Sequence, residues 1–172
     1  ADTLHGEDGA DIITGGADAD TINGGTGDDE ITGGAGVDTL TSGSTTDADD
    51  FNFNTGDTGI TEATADTITD FVTVQDDLDY SGGAITAGDM TVANGAAFAN
   101  YDALVTAATA AMTNGNGAGN TDNVIAYYNG YGTGNAYVFM DADDSGSVNA
   151  GDVVVILTGI NLVTELVAAD LI

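Results

Sequence analysis

Not one of the 172 residues is lysine or arginine, and none is cysteine. Average usage would supply roughly twenty basic residues to a chain of this length. Without them, no side-chain cation exists to neutralise phosphate, so nucleic acid and anionic membrane surfaces are poor partners. Without cysteine, neither disulfides nor thiolate metal sites are available. Histidine occurs once, as His5, and five serines are scattered through glycine-rich and polar stretches. That inventory offers no nucleophile in a recognisable turn and no cationic group, so no enzyme constellation is expected. No apolar run approaches the 18 or more residues of a membrane span, which argues against membrane insertion. The chain starts without methionine and shows no signal peptide, as expected of a piece processed from something longer.

What the chain has instead is acid. Twenty-nine Asp and Glu residues give a formal net charge of −29. Such a chain repels itself when folded, and its carboxylates must be matched by solvent or by metal ions. A hydrophobic content of 42% with ordered apolar spacing argues against disorder as the answer. Glu accounts for four of the acids (Glu7, Glu30, Glu62, Glu165) and short, stiff Asp for the rest. Asp suits tight loops and oxygen cages for hard cations, whereas a merely solvated face would use Glu freely.

The acids are periodic. The opening reads as nine-residue rows: GEDGADIIT from Gly6, GGADADTIN from Gly15, GGTGDDEIT from Gly24 and GGAGVDTLT from Gly33. Position six is Asp11, Asp20, Asp29 and Asp38; position eight is Ile13, Ile22, Ile31 and Leu40. The register extends back to Asp2 and Leu4 and, after a two-residue insertion, forward to Asp49 and Phe51. Glycines at positions one, two and four permit positive φ, so the chain can turn sharply and aim its carbonyls inward. The Asp adds a carboxylate, and the aliphatic residue two places on starts a short strand pointing into a core. Glu7 replaces a second-position glycine and Asp18 a fourth-position one, which puts the geometry of the first two rows in question.

These rows resemble the GGxGxDxUx nonapeptide of the repeats-in-toxin (RTX) family, a calcium-binding β-roll repeat. The resemblance implies a mostly β protein: a parallel two-sheet roll over residues 1–55, a capping segment over 56–80, and a mixed, mainly β domain with one helix over 81–172. It implies several Ca²⁺ ions, held by row oxygens. Those are Asp2; Gly6, Asp8, Gly9 and Asp11; Gly15, Ala17, Asp18 and Asp20; Gly24, Thr26, Gly27 and Asp29; Gly33, Ala35, Gly36 and Asp38; and Asp49. Neighbouring turns would share each ion, since calcium takes six to eight oxygens.

The segment from Ala65 to Tyr80 is similar to those that close the roll in secreted proteins of the family, covering its open end with Ile68, Phe71 and Leu78. Asp66, Asp70 and Asp79 are candidates for a last ion, with surface solvation the leading expectation for each. Farther on, Phe98, Tyr101, Leu104, Val105, Ala108 and Met112 recur at helical spacing, predicting a helix over 96–112 that Asn114-Gly115-Asn116-Gly117 ends. Three strands follow at Val124–Tyr128, Ala136–Met140 and Val153–Thr158. Between the last two, Asp141 to Asp152 resembles an EF-hand loop, with oxygens at Asp141, Asp143, Ser145 and Asn149, Ser147 at position seven, glycine at Gly146 and Asp152 in place of the usual Glu. The closing Asp170-Leu171-Ile172 is similar to the carboxy-terminal signal read by type I secretion machinery.

Taken together, the sequence predicts an extracellular, calcium-folded protein. Two roles are expected. One is a structural protein that self-assembles as a homo-oligomeric surface layer or filament. The other is a calcium-folding and secretion module of a secreted enzyme, toxin or adhesin.

Overall fold

The computed structural model describes residues 1–73, 75–80, 90–93, 100–115, 124–128, 135–141 and 145–158. Each nonapeptide supplies one short strand, and successive strands fall alternately into two facing sheets. Thr3–His5 (β1), Thr21–Asn23 (β3), Thr39–Thr41 (β5) and Asp66–Ile68 (β7) line one sheet. Ile12–Ala17 (β2), Glu30–Ala35 (β4), Asp50–Phe53 (β6) and Asp77–Tyr80 (β8) line the other. All pairings within these two sets are parallel, in registers such as Leu4↔Ile22, Ile22↔Leu40 and Leu40↔Ile68. A two-row offset in sequence therefore becomes one strand spacing in space, which stacks the position-eight aliphatics directly over one another.

That stack is the core. Ile22, Ile31, Leu40, Phe51, Ile68 and Leu78 are fully buried between the sheets, with Ile13, Phe53, Phe71 and Tyr80 packed among them. Each such side chain contributes about 1.5–3 kcal/mol by leaving water. The alternate positions face out and are polar: Thr39 and Thr41 flank Leu40, and Glu30 and Thr32 flank Ile31. His5 lies exposed on β1.

Within residues 56–80, β7 and β8 add a further strand to each sheet, in register with β5 and β6. Ile68 and Leu78 are buried because they occupy the same inward column as the repeats' own aliphatics. Val153–Thr158 (β12) then pairs parallel to β7, and the sheet runs on through Asn135–Met140 (β11), Val124–Tyr128 (β10) and Met90–Ala93 (β9). The sheet of the roll thus continues into the carboxy-terminal strands.

Strands β11 and β12 are apolar except at the end residues Asn135 and Thr158, because both of their faces are covered. Ala136, Val138, Met140, Val153, Val155 and Leu157 extend the roll's core, while Tyr137, Phe139, Val154 and Ile156 pack against the helix Tyr101–Gly115 (α1) through Leu104 and Ala108. The described helix begins at Tyr101, later than the apolar spacing predicted, where Asn100 Oδ1 accepts from Ala103 N at 3.0 Å as an N-cap. Phe98 and the rest of 96–99 lie outside the described residues, as do Asn116-Gly117 and the closing segment expected to be a secretion signal. No helix among the described residues is long and apolar enough to cross a membrane.

Candidate metal centre

The site is built by turns, two rows of them, one along each edge of the roll. On one edge lie the turns at 6–11, 24–29, 42–49 and 69–76; on the other lie those at 15–20, 33–38 and 54–66, below the chain start at Asp2. The second residue of every repeat turn adopts positive φ: Glu7 at 75°, Gly16 at 104°, Gly25 at 119°, Gly34 at 93° and Gly43 at 100°. Glu7 and Asp18 (φ 74°) show that the two departures from glycine do not break the turns. At Gly25 the turn has no room for anything larger, because a Cβ there would collide with the Glu7 carbonyl of the turn below.

This turn geometry lines up the position-six aspartates as two columns. The Oδ1 of each accepts the backbone N–H of its counterpart one turn earlier. Asp29 Oδ1 accepts from Asp11 N at 2.9 Å, and Asp49 Oδ1 from Asp29 N at 2.9 Å. Along the other edge Asp20 Oδ1 accepts from Asp2 N, Asp38 Oδ1 from Asp20 N at 2.7 Å, and Asp66 Oδ1 from Asp38 N at 2.8 Å. Asp20, Asp29, Asp38, Asp49 and Asp66 are all buried. The second oxygen is the informative one. Oδ2 of Asp11, Asp20, Asp29, Asp38, Asp49 and Asp66 is inaccessible to solvent and has no hydrogen-bond partner. In the repeats Oδ2 folds back over the row's first glycine: a Cβ on Gly24 would lie 2.5 Å from Asp29 Oδ2 and 2.7 Å from the Ser42 carbonyl.

Buried, unpartnered carboxylate oxygens in a chain without lysine or arginine are electrostatically expensive. The pKa shifts show it. Burial pushes the Asp49 carboxyl up to about 6, aided by the like charges of Asp29, Asp47 and Asp28. Burial raises Asp66 to about 8, beside Asp38 and Asp57, and Asp76 to about 7, beside Asp49 and Asp70. Asp29 and Asp38 are raised for the same reason. A hard divalent cation relieves both burdens, supplying the missing partner for Oδ2 and opposing the stacked charge. Among the described residues no three acidic or histidine side chains converge to hold an ion by themselves. An ion between turns must therefore draw part of its shell from backbone carbonyls, which suits calcium's large oxygen shell.

The remaining candidates divide by exposure. Asp8 and Asp18 are exposed; Asp8 Oδ1 accepts from Thr26 Oγ1 at 3.0 Å in the bridge between Asp8 and Thr26. Ala17 and Ala35 are strand partners, so only their backbones can contribute. The Thr26 carbonyl is already used, accepting from Gly9 N at 2.7 Å. Gly27 N donates to Asp47 Oδ2 at 2.7 Å, and this contact holds the half-buried Asp47 carboxyl below the usual range.

Two column members are absent from the repeat-based ligand set: Asp66 and Asp76, both fully buried. The surface-solvated role expected for Asp66 is overturned by that burial. Asp70 is half-buried and its two oxygens accept from Ser42 N at 2.8 Å and Gly43 N at 2.9 Å; Asp79 lies outward on β8. Asp66 is among the candidates for a last ion and Asp76 is not, although the signal for both is present. Asp66-Thr-Ile68 repeats Asp20-Thr-Ile22, and Asp76-Asp-Leu78 repeats Asp49-Asp-Phe51. Longer loops had broken the nine-residue count.

The Asp141–Asp152 loop joins β11 to β12. Asp141 Oδ1 and Oδ2 accept from Ser145 N at 3.0 Å and Gly146 N at 2.8 Å, and Gly146 has φ 69°. Asp152 Oδ2 accepts from Asn149 N at 2.7 Å, and both aspartates are buried. Ser145 Oγ donates to the Ser147 carbonyl at 3.0 Å. Asp143 lies outside the described residues.

This turn-by-turn geometry has a family counterpart. The RTX calcium-binding nonapeptide repeat matches in two overlapping stretches, residues 1–30 and 14–48. Residues 1–48 match the RTX calcium-binding repeat, and the fold they build here is a parallel β-roll. Among solved structures, the chain is similar to the AlgE6R2 subunit from the Azotobacter vinelandii mannuronan C5-epimerase, with TM-score 0.56 and 26% identity over 99% of this chain and 86% of that one. The AlgE6R3 subunit of the same epimerase also matches, with TM-score 0.34 and 21% identity over 97% of this chain and 80% of that one. No curated protein matches the sequence. The RTX match ends at residue 48, so Asp49, Asp66, Asp76 and the Asp141–Asp152 loop lie beyond it.

Proposed function

We propose that this chain is a non-catalytic, calcium-folded accessory module of an extracellular protein. The observation that carries the reading is the double column of buried aspartates whose Oδ2 atoms have no partner. Without calcium the columns repel, and the chain stays open enough for export. Calcium in the millimolar range outside the cell exceeds the roughly 10⁻⁴–10⁻³ M affinities of extracellular modules and fills the gaps between turns. The ligands are the Asp2–Asp20–Asp38 and Asp11–Asp29–Asp49 carboxylates with carbonyls of the glycine-rich turns. The Asp141–Asp152 loop is a separate calcium site of the EF-hand-loop type, with Asp141, Asp143, Ser145, Ser147 and Asp152 around the ion.

Similarity to the AlgE6R2 subunit over 99% of this chain supports the module reading, because that subunit is likewise part of a larger enzyme. Mannuronan is a polyanion, and a chain of net charge −29 without Lys or Arg is poorly made to hold one directly. A module that folds, and thereby completes its parent protein, fits better than one that grips that substrate.

Self-assembly into a surface layer or filament is the second reading. Ile12 on β2 faces outward and is 79% exposed, an apolar side chain on an otherwise polar face that a second copy would cover.

A calcium titration of chelated protein, followed by far-UV circular dichroism and light scattering together, tests both. Cooperative gain of β signal at about 0.1–10 mM calcium, absent with magnesium, supports the module. Scattering that rises in step favours the array. Full β signal in chelator with no calcium response refutes calcium-driven folding.

A further inference from the structure

The gap between the turns at 33–38 and 54–66 has the features of the repeat gaps, yet one of its walls lies outside the repeats. Asp66 sits on β7 beyond the RTX match, and its row has none of the paired glycines of the nonapeptide. Its relative exposure is 0%. Oδ1 accepts from Asp38 N at 2.8 Å, and Oδ2 has no partner; Asp38 Oδ2 on the facing turn is in the same state. Asp57, on the same long turn as Asp66, adds negative field felt by both. Its carbonyl accepts from Gly36 N at 3.3 Å, holding the long turn against 33–38. The Asp66 carboxylate reaches into this gap toward the Asp38 backbone, the Asp38 carboxylate stacks beyond it toward Asp20, and the chain has no basic side chain to set beside them.

We propose that Asp66, with Asp38 of the last repeat, builds a calcium site in the gap where the nonapeptides end, and that this ion fastens the roll to the carboxy-terminal sheet. The inference rests on the calcium-folding reading above. The fastening follows from the position of β7, which pairs with β5 of the roll on one side and β12 on the other. Thr58 ties the same point across the seam: Asp66 N donates to Thr58 Oγ1 at 2.7 Å, and Thr58 Oγ1 donates to the Val154 carbonyl at 2.9 Å. Neutralising Asp66 therefore relieves the strand on which the two halves of the sheet meet. All available donors are oxygens, and a long turn adapts to a large, irregular shell, so calcium suits the gap better than magnesium with its rigid octahedron. Lacking the glycine-built turn, this site fills after the repeats.

Filling has a local reporter. Tyr101 Oη donates to the Ile60 carbonyl at 2.9 Å, and Tyr137 Oη donates to Glu62 Oε1 at 3.1 Å, both within the turn that carries Asp66. Near-UV circular dichroism of the tyrosines reads the seam, and far-UV reads the roll. The full chain is titrated with calcium as wild type and as Asp66→Asn, which keeps the Oδ1 acceptor. Bound ions are counted by native mass spectrometry. The expected result is one ion fewer in the variant, an intact far-UV transition, and loss of the tyrosine step at higher calcium. An unchanged ion count with an unchanged tyrosine step overturns the proposal. Should Asp66→Asn fail to fold, wild-type crystals grown with calcium decide by anomalous scattering. A peak about 2.3–2.6 Å from Asp38 and Asp66 oxygens is expected; ions between the repeats with none at Asp66 overturn it. Calcium bound nowhere would overturn the folding reading as well, so the two failures are distinguishable.

Discussion

Replacing Asp29 by Asn tests the columns at their centre, because its effect should change sign with calcium. Asp29 is 2% exposed; Oδ1 accepts from Asp11 N, its own N–H donates to Asp49 Oδ1, and Oδ2 is unpartnered. Asn keeps the Oδ1 acceptor and the shape and removes the charge. Neighbouring strands stand about 4.8 Å apart, and at that separation two unit charges repel by about 3 kcal/mol at an effective dielectric of 20. Protonation caps that penalty, and burial raises the Asp29 carboxyl accordingly. Removing the charge in chelator should therefore stabilise the fold by about 1–2 kcal/mol.

In calcium the same change removes a ligand from the gaps on either side. At 10 mM calcium and Kd of about 10⁻⁴–10⁻³ M, each filled site contributes about 1.4–2.7 kcal/mol. Two sites lost, less the electrostatic gain, leaves a net destabilisation of about 1–4 kcal/mol. At about 2–4 °C per kcal/mol for a chain of this size, Tm falls by about 2–16 °C at 10 mM calcium, whereas in chelator, where the wild type is open, the variant should show the larger residual β signal. Thermal melts by far-UV circular dichroism from chelator to 10 mM calcium would show the wild-type and variant curves crossing. A uniform drop at every calcium level would refute the argument, leaving Asp29 as a hydrogen-bond acceptor alone.

Acidity should substitute for calcium. Because Asp49, Asp66 and Asp76 carry raised pKa values in the fold, the folded state holds more protons than the unfolded one. Calcium-free stability must then fall as pH rises from about 4 to about 8, and melts that improve toward pH 8 would contradict it. Gly25→Ala, where a Cβ meets the Glu7 carbonyl and φ is 119°, should destabilise by more than about 1 kcal/mol at every calcium concentration that folds the chain, and unchanged melts would contradict the steric argument. Ile31→Ala, at the fully buried centre of the core, should cost about 2–5 kcal/mol in urea denaturation at saturating calcium, and a cost below about 1 would mean the inward column is not packed as described.

Much of the roll is determined locally. A turn of GGxGxD type followed by one inward aliphatic specifies its own geometry within nine residues, so strand spacing, inward column and position-six aspartates are all legible from Gly6 to Asp49. The apolar runs at β11 and β12 were legible too, since strands covered on both faces have little choice of composition. What the sequence could not supply was which strand sits beside which once the count breaks. Asp66 and Asp76 join the aspartate columns only because β7 and β8 stack in register on β5 and β6, a long-range pairing that spacing does not encode. The extension of the roll's sheet through β12 depends likewise on contacts between residues about ninety positions apart, such as Ile68 with Leu157. Burial is a property of that assembly, and burial is what turns an acidic residue in a loop into a carboxylate that needs a cation.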